Sequence, residues 1–429
     1  MNDLGVCIIM KESKILEFKS DTSNSFLKTV SAFSNYDGGQ IIFGVDNSGK
    51  IIGLDNLEEL CLSIENKIND SIKPQPNFTL SITDKEKTIT LNVKPGNNKP
   101  YFYNSKAYKR NDTSTIEVDN LELKRLILEG ENKSFEELAS AEQELSFKIL
   151  ENELKAKMRI TRIDQDILRT LDLYTDSSGF NNAAAILADK NDFCGIDIAK
   201  FGETISIFQK RLTLEHQSIL KSYDEAVLMF KDYYQYEVVD GFRRRMIEMV
   251  PEKAFREALA NAIVHRTWDV TSHIRISMFD DRIEIISIGG LPSGVSEESF
   301  LEGRFSVLRN PILANIFHRL DLIEKFGTGI RRIKESYAES KTKPRFTVFD
   351  NSITVVLPVI REDLGLTDDE MIIYKTLSKN IAKPISEIIN DKAIVFGKSK
   401  VKELLKSMTR KNIVKLEGSG RGTKYRISD

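Results

Sequence analysis

Hydrophobic residues recur with a helical period in some stretches and alternate in others, and together the two patterns predict a chain of alternating helices and strands. The clearest helix begins at Pro251, because proline suits a first helical turn and neither Gly nor Pro interrupts the next sixteen residues. Two β-type runs follow at 273–279 and 282–288, separated by a turn at Asp280-Asp281. The apolar stripe predicted for the helix contains Phe255, Ala258, Leu259, Ala262 and Ile263.

The same patterns divide the chain into four predicted domains. Strand and helix patterns alternate over residues 1–125, which predicts a domain with a mixed sheet. Residues 126–245 contain Glu/Lys-rich helical patterns and are interpreted as a helical connector. Residues 246–360 are predicted to form an α/β sandwich, and residues 361–429 three helices followed by a hairpin. The expected fold class is therefore multidomain α/β (α+β).

Composition narrows the class of protein. A length of 429 residues suggests two to four domains, and a hydrophobic share of 41% is ordinary for a soluble globular protein. The net charge of −2 means that any surface for nucleic acid must be local. Three distant cysteines and the lack of a long apolar run favour a cytoplasmic protein that has no membrane span.

The helix after Pro251 carries candidate chemistry on a second face. Glu257, Asn261 and His265 lie four residues apart, so they share one stripe. The Asn261 amide oxygen can join a Mg²⁺ shell, and the Glu257 carboxylate can orient or deprotonate a water molecule. The alternative is that these residues are only the polar edge of an amphipathic helix.

Two glycine clusters downstream favour the first interpretation. The loop that contains Gly289, Gly290 and Gly294 would let a base or ribose approach bare backbone. The run Gly327-Thr328-Gly329 precedes a basic helix, and its free amides predict a phosphate cradle. Between them, Arg309 is a candidate phosphate contact.

Residues 250–358 resemble the ATP-binding domain of the GHKL superfamily, in the divergent form found in bacterial proteins described as ATP-dependent transcriptional regulators. The resemblance implies that Asn261 holds Mg²⁺, or Mn²⁺, with ATP and that Glu257 is the ATPase base. It also implies that both glycine clusters bind the nucleotide. Where the superfamily has an adenine-reading Asp, this chain has Ser287, whose hydroxyl is a weaker acceptor.

The N-terminal domain has a second group of candidate residues. Glu12, Glu17 and Lys19 surround a predicted strand, and Asp46 ends another. Acids that converge at strand ends can hold divalent ions for phosphodiester hydrolysis, with Lys19 on the phosphate, although a solvated strand edge has the same spacing. Further on, aromatic and basic residues alternate around Lys109 and Arg110, which suits either single-stranded nucleic acid or a hairpin with aromatic pairs.

The segments ESKILEFKSD and SAFSNYDGGQIIFGVDNSGKIIGL resemble the AlbA-related domain shared with Schlafen proteins, over residues 12–118. That resemblance implies nucleic-acid binding, and Schlafen members include ribonucleases that cut RNA with three acids. Glu12 and Glu17 stand at two of those positions. At the third the chain has Asp46-Asn47, so that Asp46 would have to supply the missing carboxylate.

The C-terminal segment is locally basic. Residues 392–429 contain eleven Lys and Arg against three acids, a net charge of +8. Three predicted helices and a glycine-rich wing fit a winged helix-turn-helix with 398–409 as the recognition helix, although such a domain can also bind protein. The residues expected to face nucleic acid are Lys398, Lys400, Lys402, Arg421 and Lys424.

Together these features predict a regulator of transcription in which ATP and Mg²⁺ switch the binding of DNA or RNA, with a homo-oligomer as the expected assembly. The alternative is a metal-dependent endoribonuclease of the Schlafen kind, gated by ATP.

Overall fold

The computed structural model describes residues 11–428 except 159, 241–242, 293–294, 304–306, 324–326, 361–365, 379–380, 392, 412 and 419, and at 239, 240, 243, 245 and 421 it describes the backbone alone. Helices and several mixed or antiparallel sheets alternate along this part of the chain, which confirms the predicted α/β multidomain class. Within the described residues, no helix combines the length and apolar character needed to cross a membrane.

The N-terminal region is built around one buried helix between two four-stranded sheets. Phe26, Leu27, Val30 and Phe33 recur at helical spacing, and all four are buried in the core. The sheets have the orders β1-β2-β5-β4 and β3-β6-β7-β8, and β1 pairs with β2 in parallel. The elements are β1 (Leu16–Lys19), α1 (Phe26–Asn35), β2 (Gly39–Phe43), α2 (Leu57–Ser71), β3 (Ile72–Lys73), β4 (Phe78–Thr83), β5 (Thr88–Val93), β6 (Phe102–Tyr103), β7 (Lys106–Asn111), β8 (Ser114–Glu117) and α3 (Asn120–Gly130).

Short elements follow this region. Asp164 and Asn181 are the N-caps of two of the helices, and their side chains accept hydrogen bonds from the first turn. The elements are a 3-10 helix (Phe135–Glu137), α4 (Lys148–Lys157), α5 (Gln165–Thr170), β9 (Tyr174–Thr175), β10 (Gly179–Phe180) and α6 (Asn182–Leu187).

The central region contains a six-stranded sheet with the order β12-β11-β15-β16-β18-β17. Its elements are β11 (Ile196–Phe201), β12 (Phe208–Leu214), α7 (Ile219–Tyr234), β13 (Gln235–Asp240), β14 (Arg243–Glu248), α8 (Glu252–Val264), β15 (Ile274–Met278), β16 (Arg282–Ile288), α9 (Glu297–Leu301), α10 (Pro311–Arg319), α11 (Gly329–Ser336), β17 (Arg345–Phe349) and β18 (Ser352–Pro358). The apolar stripe predicted on α8 is buried as expected, and α8 packs on β16 and β18.

The segment 126–245 differs from the helical connector expected for it. Strands β11 and β12 pair with each other, and β11 also pairs in parallel with β15, so this segment supplies two strands to the central sheet. A second pair, β13 and β14, forms an antiparallel hairpin across the predicted boundary at 245. The cause is a tertiary contact. Strand β11 has the sequence IDIAKF, and it forms a strand because β15 lies beside it in the sheet.

The chain divides into two compact units, Met1–Pro358 and Val359–Asp429. The second unit buries Ile373, Val401 and Leu405 in a core of its own. Its three-stranded sheet has the order β19-β21-β20. The elements are α12 (Asp368–Thr376), β19 (Lys383–Pro384), α13 (Ile385–Ile389), α14 (Lys398–Arg410), β20 (Val414–Glu417), a 3-10 turn (Gly420–Gly422) and β21 (Lys424–Ile427). The four predicted domain boundaries stay predictions.

Candidate functional site

The central region contains a large, mostly apolar cleft beside α8. The space between its walls amounts to about 1260 Å³, including the part that is open to solvent. Ile285, Val355 and Ile333 contribute apolar wall, whereas Glu257, Asn261 and Ser287 bring polar groups to it. Such a lining fits a planar ring that carries a few hydrogen-bonding groups.

Glu257 and Asn261 meet on the cleft face of α8, as their spacing predicts. The Asn261 Nδ2 atom donates to Glu257 Oε1 over 3.3 Å. Glu257 is only 6% exposed, and Arg332 Nη1 lies 3.7 Å from its other carboxylate oxygen. One of the two amide hydrogens is used toward Glu257, and the Asn261 carbonyl oxygen, which has free lone pairs, is the group that can coordinate a cation.

The second glycine cluster closes directly over this pair. Gly327 has a φ of +63°, and Gly329 begins α11 after Thr328. A Cβ at Gly329 would lie 2.5 Å from Asn261 Nδ2 and 2.6 Å from Glu257 Oε1, so a side chain there would displace the ends of these two side chains. The backbone amides at the start of α11 therefore lie near the carboxamide and carboxylate of α8, which is a geometry suited to phosphate and its metal.

The first glycine cluster is shaped by packing within the protein. Gly289 has a φ of +115°, and a Cβ there would lie 2.1 Å from Arg309 Nη1 and 2.2 Å from Thr267 Oγ1. Gly290 passes equally close to the backbone of Asp350, whose carbonyl oxygen would be 2.2 Å from a Cβ. Both glycines line the cleft, whereas Gly294 lies outside the described residues.

Ser287, on β16, lines the cleft. Its hydroxyl donates to the Ala262 carbonyl oxygen over 2.7 Å, and the residue is 7% exposed. The single hydroxyl hydrogen is thereby used, and the oxygen presents lone pairs to the cleft as an acceptor. An acceptor at this position suits an exocyclic amino group.

Arg309 differs from the predicted phosphate contact. Its guanidinium donates to Thr267 Oγ1 and, over 2.9 Å, to the Gly290 carbonyl oxygen, behind the glycine turn. Burial and the nearby charge of Arg125 lower the pKa of Arg309. Burial, together with the charge of Arg309, lowers the pKa of His265 to about 4, so this cleft residue is neutral near pH 7. Arg309 therefore supports the glycine loop from behind.

Two contacts that the sequence analysis missed join the N-terminal half to the cleft. Glu136 is fully buried and accepts from the backbone amides of Ile312 and Leu313, the latter over 3.0 Å, at the start of α10. Burial raises the pKa of Glu136 to about 8. Arg125 on α3 donates twice to Asp269, over 2.8 and 3.0 Å, in the loop after α8. Partners more than 140 residues apart leave no local signal.

In the N-terminal region, Glu17 is the centre of a buried polar network. One carboxylate oxygen accepts from Arg110 and from Thr29 Oγ1 at 2.7 Å, and the other lies 2.6 Å from Lys19 Nζ. Arg110 also donates to the Ser13 carbonyl oxygen over 3.1 Å. These contacts tie β1 to α1 and β7, and they give Glu17 a role in the fold.

The other predicted acids have local partners. Glu12 accepts from the Phe18 amide over 2.9 Å, and the exposed Asp46 accepts from Ser48 and Lys50 within its own turn. Those hydrogen bonds lower the pKa of Asp46. Among the described residues, no group of three or more His, Cys, Asp or Glu side chains is arranged to hold a metal ion.

The basic residues predicted to contact nucleic acid have different surroundings. Arg110 is 8% exposed, so its guanidinium faces Glu17 and does not suit the predicted contact. Lys109 Nζ donates to Glu122 over 2.6 Å. On α14, Lys398, Lys400 and Lys402 are exposed, opposite the buried Val401 and Leu405, and Lys424 is exposed on β21; the side chain of Arg421 lies outside the described set.

Comparison with known proteins assigns two of these regions. The family model described as "Schlafen, AlbA_2" matches residues 12–119, and the model described as "Putative ATP-dependent DNA helicase recG C-terminal" matches residues 271–357. The chain carries a Schlafen AlbA_2 domain and a RecG C-terminal domain. The RecG C-terminal match covers β15 to β18, including both glycine clusters, and begins after α8.

Solved structures give more distant similarities. The DIP2311 protein from Corynebacterium diphtheriae is 18% identical, with a TM-score of 0.47, and the match covers 97% of this chain and 92% of that one. The N-terminal domain of a "Putative ATP-dependent DNA Helicase RecG-related Protein" from Nitrosomonas europaea is 21% identical, with a TM-score of 0.20, over 26% of this chain and 84% of that one. The search of curated proteins found no match.

Proposed function

We propose that this protein binds a purine nucleoside triphosphate, ATP, together with Mg²⁺ in the cleft beside α8, and that the bound nucleotide changes its affinity for nucleic acid. The observation that carries the proposal is the contact of Gly329 with Glu257 and Asn261, which places a helix N-terminus against a metal-type carboxamide. The match to a RecG C-terminal domain supports it.

Each group in the cleft has a part in this proposal. The Asn261 carbonyl oxygen would hold Mg²⁺, and the amides around Gly327 and Thr328 would hold phosphate oxygens. Ser287 would accept from an exocyclic amino group, and the apolar walls would enclose the ring. Glu257 fixes the orientation of Asn261 and is the candidate base for water. Bound MgATP supplies negative charge that the N-terminal end of α11 must accommodate.

Two contacts would couple a shift of the cleft elements to the AlbA_2 domain. Asn315 on α10 lines the cleft, and the N-terminus of α10 is held by the buried Glu136. The loop after α8 is held by the double hydrogen bond from Arg125 on α3. A shift of α10 or of the loop after α8 would move segments that adjoin the AlbA_2 domain. A nucleotide that binds one of the two arrangements more tightly would therefore change the affinity of the nucleic-acid site.

Nucleic-acid binding is proposed for both ends of the chain. The AlbA_2 match supports it at the N-terminus, and the exposed lysines of α14 support it in a C-terminal unit interpreted as a winged helix-turn-helix. Control of transcription in a cytoplasmic homo-oligomer is the output that we infer. The ion pairs of Glu17 with Arg110 and Lys19 favour this reading over a metal-dependent endoribonuclease.

Isothermal titration of the full chain with a non-hydrolysable ATP analogue, with and without Mg²⁺, tests the nucleotide site. The proposal expects Mg²⁺-dependent binding of the purine and weaker binding of the corresponding pyrimidine triphosphate. The proposal would be refuted if no binding were detected at high protein concentration. It would also be refuted if all triphosphates bound equally and independently of Mg²⁺.

A further inference from the structure

A second cleft, in the AlbA_2 domain, is lined by carboxamide groups. It lies between the last turns of α2, the segment before β4 and the loop after β5, and encloses about 1040 Å³ of partly open space. Five amide side chains face it, with one carboxylate, Glu65. The amides are Asn69, Gln75, Asn77, Asn97 and Asn98.

Most of these polar groups are not used by the fold. Gln75 Nε2 donates to Asn69 Oδ1 over 2.8 Å, which engages one group of each amide. The side chains of Asn77, Asn97 and Asn98 make no hydrogen bond within the part of the chain that the structure describes. All three side chains are exposed to solvent, and in this cleft they present a set of donors and acceptors from which a ligand can displace water.

The cleft wall is packed against the core of the domain. Gly96 lies flat on the ring of Tyr101, where a Cβ would be 2.2 Å from the ring carbons, and its amide donates to the Ser34 carbonyl oxygen over 2.8 Å. The Tyr101 amide donates to Asn35 Oδ1 over 2.7 Å in the buried core. A preformed wall reduces the entropy lost when a ligand is bound.

Charged and neutral groups occupy different parts of the cleft region. Its lining contains no Lys or Arg among the described residues, so a phosphate group has no cationic partner inside it. Lys73 and Lys94 are exposed and directly precede the Pro74-Gln75 and Pro95-Gly96 segments that form the walls, and Lys73 Nζ donates to the Asn69 carbonyl oxygen over 2.9 Å. Positive charge is thus beside the cleft, and neutral hydrogen-bonding groups are inside.

We propose that this cleft receives one unstacked base of a single-stranded nucleic acid, with the flanking phosphates on Lys73 and Lys94. A carboxamide carries a donor and an acceptor in one plane and pairs with a base edge in two hydrogen bonds, and Glu65 can accept from an exocyclic amine. This assignment rests on the proposed nucleic-acid function and adds a base-specific site to it.

The test uses fluorescence anisotropy of the full chain with labelled homopolymers of each base, as DNA and as RNA, over a range of salt concentrations. The wild type should prefer one base. The variant N77A/N97A/N98A should reduce that preference about tenfold and keep its salt dependence, because each bidentate base contact contributes on that scale. The variant K73A/K94A should keep the preference and lower the salt slope by roughly 1.4, since each phosphate contact on a single strand adds about 0.7.

Gln209, an exposed amide on the edge strand β12, provides the matched control as Gln209→Ala, which should change neither quantity. The single variant Asn98→Ala, at an exposed residue, replaces the triple variant where circular dichroism shows that the latter does not fold. Equal wild-type affinity for all bases, or an unchanged preference in the folded amide variant, would overturn the base site. Failure of the wild type to bind any homopolymer, or a duplex DNA, at low salt would instead refute the proposed nucleic-acid function.

Discussion

Asn261 donates one of its two amide hydrogens to Glu257 across one turn of α8, at 3.3 Å. This single hydrogen bond fixes which end of the carboxamide faces the cleft. The carbonyl oxygen, which is the end that a hard cation prefers, is left for a ligand, while Gly329 covers both side chains without adding a Cβ.

Replacement of Asn261 by Ala should remove the dependence of nucleotide binding on Mg²⁺. We expect binding in Mg²⁺ to weaken by at least about tenfold, because even outer-shell partners of a metal contribute on that scale. Binding without Mg²⁺ should change little. Titration calorimetry measures both, and Asn120→Ala, at an exposed position on α3, is the control that should match the wild type.

Replacement of Gly329 by Ala should block the cleft without unfolding the protein. The new Cβ would lie about 2.5 Å from Asn261 and Glu257, so these side chains must move away from the positions that orient the metal ligand. The displaced carboxamide should weaken Mg²⁺-dependent nucleotide binding by about tenfold, because groups that orient a metal ligand contribute on that scale. Gly397→Ala, where a Cβ meets nothing within 4 Å, should leave affinity unchanged; equal losses in the two variants would contradict the assignment.

Local patterns revealed much of this architecture. The stripe on α8, the alternation in β16 and the glycines before α11 are all local, so the approach of Glu257, Asn261 and the second glycine cluster could be predicted. Long-range partners could not. Arg110 looks like a surface cation in sequence, and only the strand pairing that brings β7 beside Glu17 places it inside. Likewise, nothing near Glu136 signals that it holds the start of α10.

Removal of the Arg110 guanidinium should destabilise the AlbA_2 domain. Arg110→Ala leaves the carboxylate of Glu17 buried with its main cationic partner gone, which typically costs about 3–5 kcal/mol. Lys106→Ala, which breaks an exposed pair with Glu117, should cost far less, because solvent screens that pair. Urea unfolding followed by circular dichroism compares the two, and similar midpoints would show that Arg110 is a surface residue in solution.

Stability should depend on pH through Glu136. Its pKa is about 8 in the folded protein against 4.5 for an ordinary Glu, so its contribution is fully present below about pH 4.5 and is lost as the pH rises through about 8. Melting temperatures of the wild type should therefore fall over this interval relative to those of Glu136→Gln. The control is Glu131→Gln, at an exposed carboxylate paired with Lys133, and parallel curves for all three proteins would disprove the assignment.

The lysines of α14 should contribute to nucleic-acid affinity without base preference. The variant K398A/K400A/K402A should lower the slope of log affinity against log salt by about 0.9 for each duplex DNA phosphate that a lysine no longer neutralises. An exposed basic face predicts this uniform weakening across sequences. A slope equal to that of the wild type would mean that α14 faces a protein partner or solvent.

The most direct measurement is the affinity of the full chain for a labelled nucleic acid with and without saturating ATP analogue and Mg²⁺, at several salt concentrations. The account predicts a change of at least about fivefold that is abolished in Gly329→Ala, since allosteric coupling energies are typically about 1–3 kcal/mol. Identical binding curves in the presence and absence of nucleotide, for a wild-type protein that binds both ligands, would contradict it.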